Sequence, residues 1–371
     1  VGLALEAWLA QARPSADLPI VNEWDVFTIP YTSGTTGKPK GVLVPHRSRI
    51  LTLFAMAVEY GCYGPDDRFL AIAPMCHGAG MVFSLAPIFF GGYAEIMDKF
   101  EPEAVLDSLA SESISGFFGV PTHFHALLEA GRGLETASRK GRLRTVISNA
   151  AAMPQAMKER LVAQLGPGLL HDTYGSTEAG IVSNLRPADQ LRKQQCVGQP
   201  FPCTLIEIRR ADGNICAPDE VGELYSRSPY LFNGYWGRPE ETAETYRDGW
   251  VTVGDLARQD AEGHLYIVDR LKDMVISGGV NIYPREVEEV IFRHPEVADV
   301  ALIGVPDERW GEVLKAFVVR RAGSSLDEAA LVAALEGQIS RMKLPKYVEF
   351  IAQIPRNASG KVLKTALRAR G

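Results

Sequence analysis

Between residues 42 and about 190, apolar runs of strand length alternate with helical patterns, and this alternation narrows the available folds more than any other feature. Phe69-Leu-Ala-Ile-Ala73 and Leu143-Arg-Thr-Val-Ile-Ser148 are such runs, and Ala104 to Leu109 is such a helix. Strands separated by helices predict a mostly parallel α/β sheet. Upstream, residues 1–30 read as a short amphipathic helix (Leu3, Leu5, Trp8, Leu9) and then a strand over Asp25–Pro30. Over 196–270 the texture changes to short strands with turn signals (Leu205–Arg209, Gly222–Ser226, His264–Val268), which predicts a small β-rich subdomain. The last hundred residues change again. A helix over Pro284–Phe292 is followed by strands over Val297–Val305 and Lys315–Arg320. Ser325-Leu-Asp-Glu328 reads as a capping box opening a helix with Leu331, Leu335 and Ile339 on one face, and a strand over Tyr347–Ile354 comes last. The expected class is α/β. A large domain with a parallel-rich sheet spans 1–271 and includes the β-rich subdomain at 196–270; a compact, mobile α+β domain spans 272–371.

Composition excludes several alternatives. The 371 residues are 46% hydrophobic and 23% charged, a balance that excludes disorder, collagen-like repeats and coiled coil. With 39 basic against 45 acidic residues the net charge is -6, which argues against a nucleic-acid or anionic-membrane partner. Five cysteines without C-x-x-C spacing predict a reduced, cytoplasmic compartment. The sequence begins with Val1 and shows no basic segment leading into an apolar one, so no signal peptide is expected. Gly78 to Ala94 is uncharged but is broken by Pro87, Gly91 and Gly92, and it reads as a buried helix rather than a membrane span. His123 and His125 have no acidic neighbour, which argues against a metal pair there.

The densest functional signal is Tyr31-Thr-Ser-Gly-Thr-Thr-Gly-Lys-Pro-Lys-Gly41, directly after a predicted strand. Glycines let backbone N–H groups approach an anion, hydroxyls donate to phosphate oxygens, and lysines supply counter-charge. It is not a nucleotide-triphosphatase P-loop: only Thr35 and Thr36 separate Gly34 from Gly37, and Pro39 follows Lys38.

This stretch resembles the signature of the adenylate-forming superfamily, which includes acyl- and aryl-CoA ligases, peptide-synthetase adenylation domains and luciferases. Further motifs resembling that family follow in order: Tyr174-Gly-Ser-Thr-Glu178, Gly249-Trp-Val-Thr-Val-Gly-Asp255, Asp269-Arg-Leu-Lys272, Ser277-Gly-Gly-Val-Asn-Ile-Tyr-Pro284 and Pro355-Arg-Asn-Ala-Ser-Gly-Lys361. The match covers essentially the whole chain, while the family's larger portion upstream of the phosphate loop has no counterpart in this sequence. The first part of the large domain is therefore expected to be missing.

The resemblance implies a set of roles. Thr32, Ser33, Gly34, Thr35, Thr36, Gly37, Lys38 and Lys40 would cradle the ATP phosphates. Asn149, Ala150, Ala151, Asp172, Tyr174 and Gly175 would line the nucleotide site, with Tyr174 against the adenine ring. Thr177 would donate to the α-phosphate and Glu178 would be the magnesium ligand. Asp255 would hold the ribose hydroxyls, reinforced by Arg270. Lys361 would be the catalytic lysine brought from the small domain, which swings about Lys272 and carries Ser277, Gly278 and Gly279 to a CoA channel. His77, Gly78, Phe117, Val120 and Ile181 would line an apolar acyl pocket, with no Arg or Lys for a second carboxylate.

The implied function is ATP-dependent activation of a fatty, alicyclic or aromatic monocarboxylate to an acyl-adenylate, then transfer to CoA. ATP, Mg2+ and CoA are the implied cofactors and co-substrates, and a homodimer is the assembly expected if the chain associates. Two alternatives stay open: adenylation of an acid for a carrier protein, and a non-catalytic fragment.

Overall fold

The computed structural model describes residues 4–13, 17, 19–32, 39–111, 113–130, 133–135, 142–357 and 360–370. After a short helix (Leu5–Gln11) come four short strands: β1 (Val26–Thr28), β2 (Tyr31–Thr32), β3 (Lys40–Gly41) and β4 (Val44–Pro45). β1 pairs with β4, and β2 pairs antiparallel with β3, setting Thr32 opposite Lys40. That pairing ties together the two ends of the intervening loop. Ser33, Gly34, Thr35, Thr36, Gly37 and Lys38, the body of the expected phosphate loop, lie outside the described residues.

The large sheet holds β5 (Arg68–Ala71), β6 (Tyr93–Ile96), β7 (Gly116–Gly119), β8 (Thr145–Ser148), β9 (Leu170–Ser176), β10 (Gly180–Leu185) and β11 (Gln199–Pro200). Its spatial order is β11-β10-β9-β8-β7-β5-β6. The pairings from β6 through β9 are parallel, while β10 and β11 run antiparallel. The chain runs outward from β5 to β6 and then returns to the other side of β5 for β7. Such a reversal leaves a crevice at the carboxyl ends of the strands, the usual seat of a ligand in an open α/β sheet.

Period-two alternation along the strands divides the core. Leu70, Phe117, Val146 and Leu170 pack on one face of the sheet with Val105, Phe124 and Leu161. Phe69, Phe118, Ile147 and Ile181 pack on the other with Met56, Val82 and Phe83. The uncharged run after residue 78 forms the helix Gly78–Phe89, of which only one side is buried. Val82, Phe83 and Ala86 face the sheet, whereas Ile88 and Phe89 are exposed, with Phe89 against Phe54 of the helix His46–Tyr60. The segment expected to be a buried helix is thus a helix with one buried face, and the chain turns at Gly91 (φ +78°) into β6.

A second, antiparallel sheet contains β12 (Leu205–Arg209), β13 (Gly222–Arg227), β14 (Tyr246–Arg247), β15 (Trp250–Val251), β16 (Asp255–Gln259) and β17 (Leu265–Arg270). This is the β-rich texture read over 196–270, except that β11 joins the large sheet. A third sheet uses β18 (Val275–Ser277), β19 (Val280–Ile282), β20 (Val297–Asp307), β21 (Gly311–Arg320) and β22 (Tyr347–Phe350), with β22 parallel to β21. Val287 and Ile291 of the helix Pro284–Phe292, together with Leu331 and Leu335, cover one face. Leu367 packs with Ala301, Ile303 and Phe317 in a separate cluster. Among the described residues no helix is long and apolar enough to cross a membrane.

The capping box expected at Ser325 is also corrected. The helix is Glu328–Leu335, and its N-cap is Asp327, whose carboxylate accepts from Ala330 N at 2.8 Å. An ionised acceptor two residues later captures the orphan N–H more strongly than a serine hydroxyl. Ile339 falls beyond the helix, although it still packs on the same cluster. In denaturant unfolding, Asp327→Ala should cost about 1 kcal/mol and Ser325→Ala only a few tenths; equal losses would return the cap to Ser325.

Candidate active site

Because β5, β7, β8 and β9 are mutually parallel, their carboxyl ends lie along one edge of the large sheet, and several of the expected site residues leave from that edge. His77 and Gly78 follow β5, Val120 follows β7, Asn149, Ala150 and Ala151 follow β8, Tyr174 to Ser176 finish β9, and Thr177 and Glu178 follow it. The motif of β9 ends in a hairpin in which Ser176 pairs with Gly180 around a loop of Thr177, Glu178 and Ala179. Gly180, at φ +71°, supplies the left-handed closing residue such loops need. Gly175 serves packing here: a Cβ on it would lie 2.1 Å from the Gly180 carbonyl oxygen.

Glu178 is buried, and its Oε1 accepts from the Tyr235 hydroxyl at 2.8 Å. The ammonium of Lys40 sits 4.8 Å from the centroid of the same Tyr235 ring, a cation–π contact. One aromatic side chain therefore joins the lysine just past the expected phosphate loop to the carboxylate of the β9 motif. Burial, with Glu178 adding, holds the Tyr235 phenol far above its ordinary value. Nothing local in the sequence marks Tyr235. It is brought in by the Val42–Tyr235 bridge and by Trp236 N donating to the Gly41 carbonyl at 2.8 Å.

A second cluster forms where β16 and β17 pair Asp255 with Arg270. Arg270 Nε lies 3.1 Å from Asp255 Oδ1, and the Tyr174 hydroxyl donates to Oδ2 at 2.5 Å. Burial, with Asp255 adding, pushes the Tyr174 phenol well up. Lys361 enters the same field. Burial, with Arg270 adding and Asp255 acting the other way, pushes its ammonium down to about 8.

The position of Lys361 is built by its turn. Lys361 N donates to Asn357 Oδ1 and Asn357 N donates to the Lys361 carbonyl, both at 2.9 Å. Arg356 Nη1 donates to the Gly360 carbonyl at 2.8 Å while Nη2 holds both oxygens of Asp299 at 2.8 and 2.9 Å. Gly360 has φ +79°, and a Cβ there would stand 3.2 Å from Thr122 Oγ1 and 3.7 Å from Val120 Cγ2. The lysine turn thus rests on the start of the helix Pro121–Glu129, at the carboxyl end of β7.

Two expected site residues are placed elsewhere. Phe117 points to the opposite face of β7 from Phe118, into the cluster of Phe124 and Val146, so it lines no pocket with Val120 and Ile181. The reason is the two-residue period of a strand. Asp172 is buried and ion-paired at 2.6 Å with Lys158 Nζ, which also donates to the Cys196 carbonyl at 3.1 Å. A carboxylate already neutralised beneath the sheet surface is a structural group. Its partner had no sequence signal, since Lys158 reads as an ordinary helix-surface lysine.

Other residues fall between these cases. His77 is the N-cap position of the helix Gly78–Phe89, and its Nε2 is buried without a hydrogen-bond partner. Lys272 sits in the short turn Leu271–Asp273 between β17 and β18. Ser277 and Val280 pair around Gly278 (φ +56°) and Gly279 (φ +81°), a two-residue hairpin of the type that demands left-handed residues. That hairpin packs on Trp310, whose carbonyl accepts from Gly278 N at 2.8 Å, rather than on Asp255. For a hard cation, Glu178 offers the oxygen such an ion prefers. Among the described residues no group of three His, Cys, Asp or Glu side chains surrounds it, so further oxygens would come from phosphates and water.

Comparison with known proteins gives the family. The family model of the AMP-binding enzymes matches residues 3–236, and that of the AMP-binding enzyme C-terminal domain matches residues 286–361. The chain belongs to the AMP-binding enzymes. It is 40% identical over 358 residues to a feruloyl-CoA synthase of Amycolatopsis sp., covering 95% of this chain and 71% of that protein. A medium/long-chain-fatty-acid–CoA ligase of Mycobacterium tuberculosis is 36% identical over 383 residues, covering 100% of this chain and 65% of its own length. Among solved structures, ATP-bound MatB from Rhodopseudomonas palustris superposes with a TM-score of 0.91 at 32% identity, covering 99% of this chain and 72% of that one. These partners are longer than this AMP-binding enzyme by roughly a third to a half, as the coverages show.

The Lys158–Asp172 pair makes a stability prediction separate from chemistry. Lys158→Met should destabilise the chain by about 3–5 kcal/mol by leaving a buried carboxylate unpaired, and Lys158→Met with Asp172→Leu should recover most of it. Denaturant midpoints check this, and an Asp172 engaged only with ligand would show neither effect.

Proposed function

We propose that this AMP-binding enzyme activates a carboxylic acid with ATP and passes the acyl group to the thiol of CoA. In the first step a carboxylate oxygen attacks the α-phosphorus, and the bond from that phosphorus to the bridging oxygen breaks to release pyrophosphate. In the second, the thiolate of CoA attacks the acyl carbon, the thiol proton passes to solvent, and AMP leaves. The observation that carries this reading is the docked lysine turn, which sets Lys361 in the field of Asp255 and Arg270.

The roles follow from charge. Asp255, an ionised acceptor already aligned by Tyr174 and Arg270, suits the paired hydroxyls of a ribose. Lys361 supplies a cation where two anions must meet, so its effect is largest in the transition state. Lys40 and Thr177 flank the phosphates. When bound, Mg2+ would neutralise phosphate charge, with Glu178 as its protein ligand. The acid would enter beside His77, Val120 and Ile181, where the apolar lining favours a fatty, alicyclic or aromatic monocarboxylate. Residues 272–371 would then turn about Lys272 so that Lys361 withdraws and Ser277-Gly278-Gly279 takes its place by the thiol. The five cysteines are all unpaired, which supports a cytoplasmic setting.

Incubation with ATP, Mg2+, CoA and a panel of acids of graded chain length and ring type should release AMP and pyrophosphate together. ADP in their place would end the reading, and adenylate that forms while CoA fails as acceptor would favour a carrier protein. The pH profile is a second check. Lys361 carries its charge below about 8 and loses it above, so kcat/KM for ATP in pyrophosphate exchange should fall as pH rises through that value. Lys361→Arg keeps the charge, so its own profile should stay level to pH ~9.5; the same fall in both proteins would place the titration elsewhere.

A further inference from the structure

At the carboxyl end of β8 the backbone adopts a conformation that its residue type does not favour. Ala150 has φ +76°, in the left-handed region where Cβ crowds the following carbonyl and glycine is the default. Its methyl group can form no hydrogen bond to offset that cost, so the conformation must be held from outside.

Asn149 is placed to hold it. Its Oδ1 accepts from the Ala150 N–H. Its Nδ2 donates to Thr173 Oγ1 at 2.7 Å, and the Thr173 hydroxyl donates in turn to the Ser148 carbonyl at 2.9 Å. The amide thus spans from the end of β8 to β9, one residue before Tyr174. Every member of this relay uses a donor or acceptor proper to its group. Thr173 is buried, which fixes the far end of the brace, whereas Ala150 is exposed along the ligand-side edge of the sheet.

We propose that Asn149 is a positioning residue for the nucleotide. It braces Ala150 in the left-handed conformation, so that the peptide groups at 150–151 present a preset donor and acceptor to the edge of a purine base. Asn149 need not touch the ligand; it acts through the Ala150 backbone. This rests on the nucleotide-binding reading above. Glycine at 150 would adopt the same φ without help, so the brace is needed only because alanine stands there.

That dependence supplies the test. AMP affinity is measured by calorimetry, and KM and kcat by pyrophosphate exchange, for the wild type, Asn149→Ala, and Asn149→Ala combined with Ala150→Gly. Asn149→Ala should weaken AMP binding and raise KM for ATP about tenfold, the scale of one left-handed alanine, with kcat and KM for the acid within about twofold. Adding Ala150→Gly should bring both nucleotide constants back to within about threefold of wild type. Should Asn149→Ala fail to fold, Thr173→Val removes the other end of the brace and should give the same selective, glycine-rescued loss. The proposal is overturned if Asn149→Ala leaves nucleotide affinity intact, or if the glycine fails to restore it, since Asn149 would then act directly on ligand or sheet. A wild type that binds no AMP would overturn the nucleotide reading itself, whereas a binding wild type with unrescued variants would sink the brace alone.

Discussion

The contact between the Gly360–Lys361 turn and the start of the helix Pro121–Glu129 is what the rest of the site depends on. Without it, Asp255, Arg270 and Tyr174 form a polar pocket on a β-rich sheet, and the parallel sheet presents an edge with a buried carboxylate. With it, a lysine from the last dozen residues lies in the field of Asp255 and Arg270. A desolvated ammonium is expensive unless anions are near, and burial is the main cause that pushes Lys361 down to about 8. Such a group is poised to be stabilised by an arriving triphosphate and carboxylate. Its turn is prebuilt by Asn357, Arg356 and Asp299, so the docked state requires little local ordering.

Two further constraints make the docking productive. The return of the chain across β5 sets the carboxyl ends of β5, β7, β8 and β9 side by side, so residues far apart in sequence share one edge. The hairpin of β2 and β3, bonded through Gly41 to Trp236, then draws Lys40 onto the Tyr235 ring and Tyr235 onto Glu178. A lysine and a buried carboxylate are thereby linked through one phenol. The segment Leu271–Asp273 joins this assembly to the third sheet, and Arg368 donates to Asp273 at 2.7 Å. A short linker is suited to a change of orientation.

Much of this was legible in the sequence because it rests on period and motif. The helix Pro284–Phe292 appears at its expected bounds, since Pro284 starts it and Val287 and Ile291 share a buried face. The parallel sheet followed from alternation, and Asp255, Arg270, Glu178 and Lys361 stood in recognisable runs. What could not be read was decided by three-dimensional pairing. Phe117 and Phe118 are both apolar, and only the register of β7 says which faces the crevice. Asp172 stands two residues before Tyr174, yet Lys158 neutralises it from a helix. Asp327 outcompeted Ser325 for a cap because its carboxylate reaches Ala330 N. Tyr235 carries no signature of its own, and its place depends on strand contacts with Val42.

The central claim is that one lysine serves the first half-reaction and must leave for the second. Comparing the two half-reactions in Lys361→Ala tests this most directly, with adenylate formation followed by pyrophosphate exchange and thioester formation followed from supplied acyl-adenylate and CoA. The account predicts a fall of about a thousandfold or more in adenylation, roughly 4 kcal/mol of lost transition-state stabilisation, with thioester formation within about threefold of wild type. Equal loss in both steps, or no loss in the first, would contradict it.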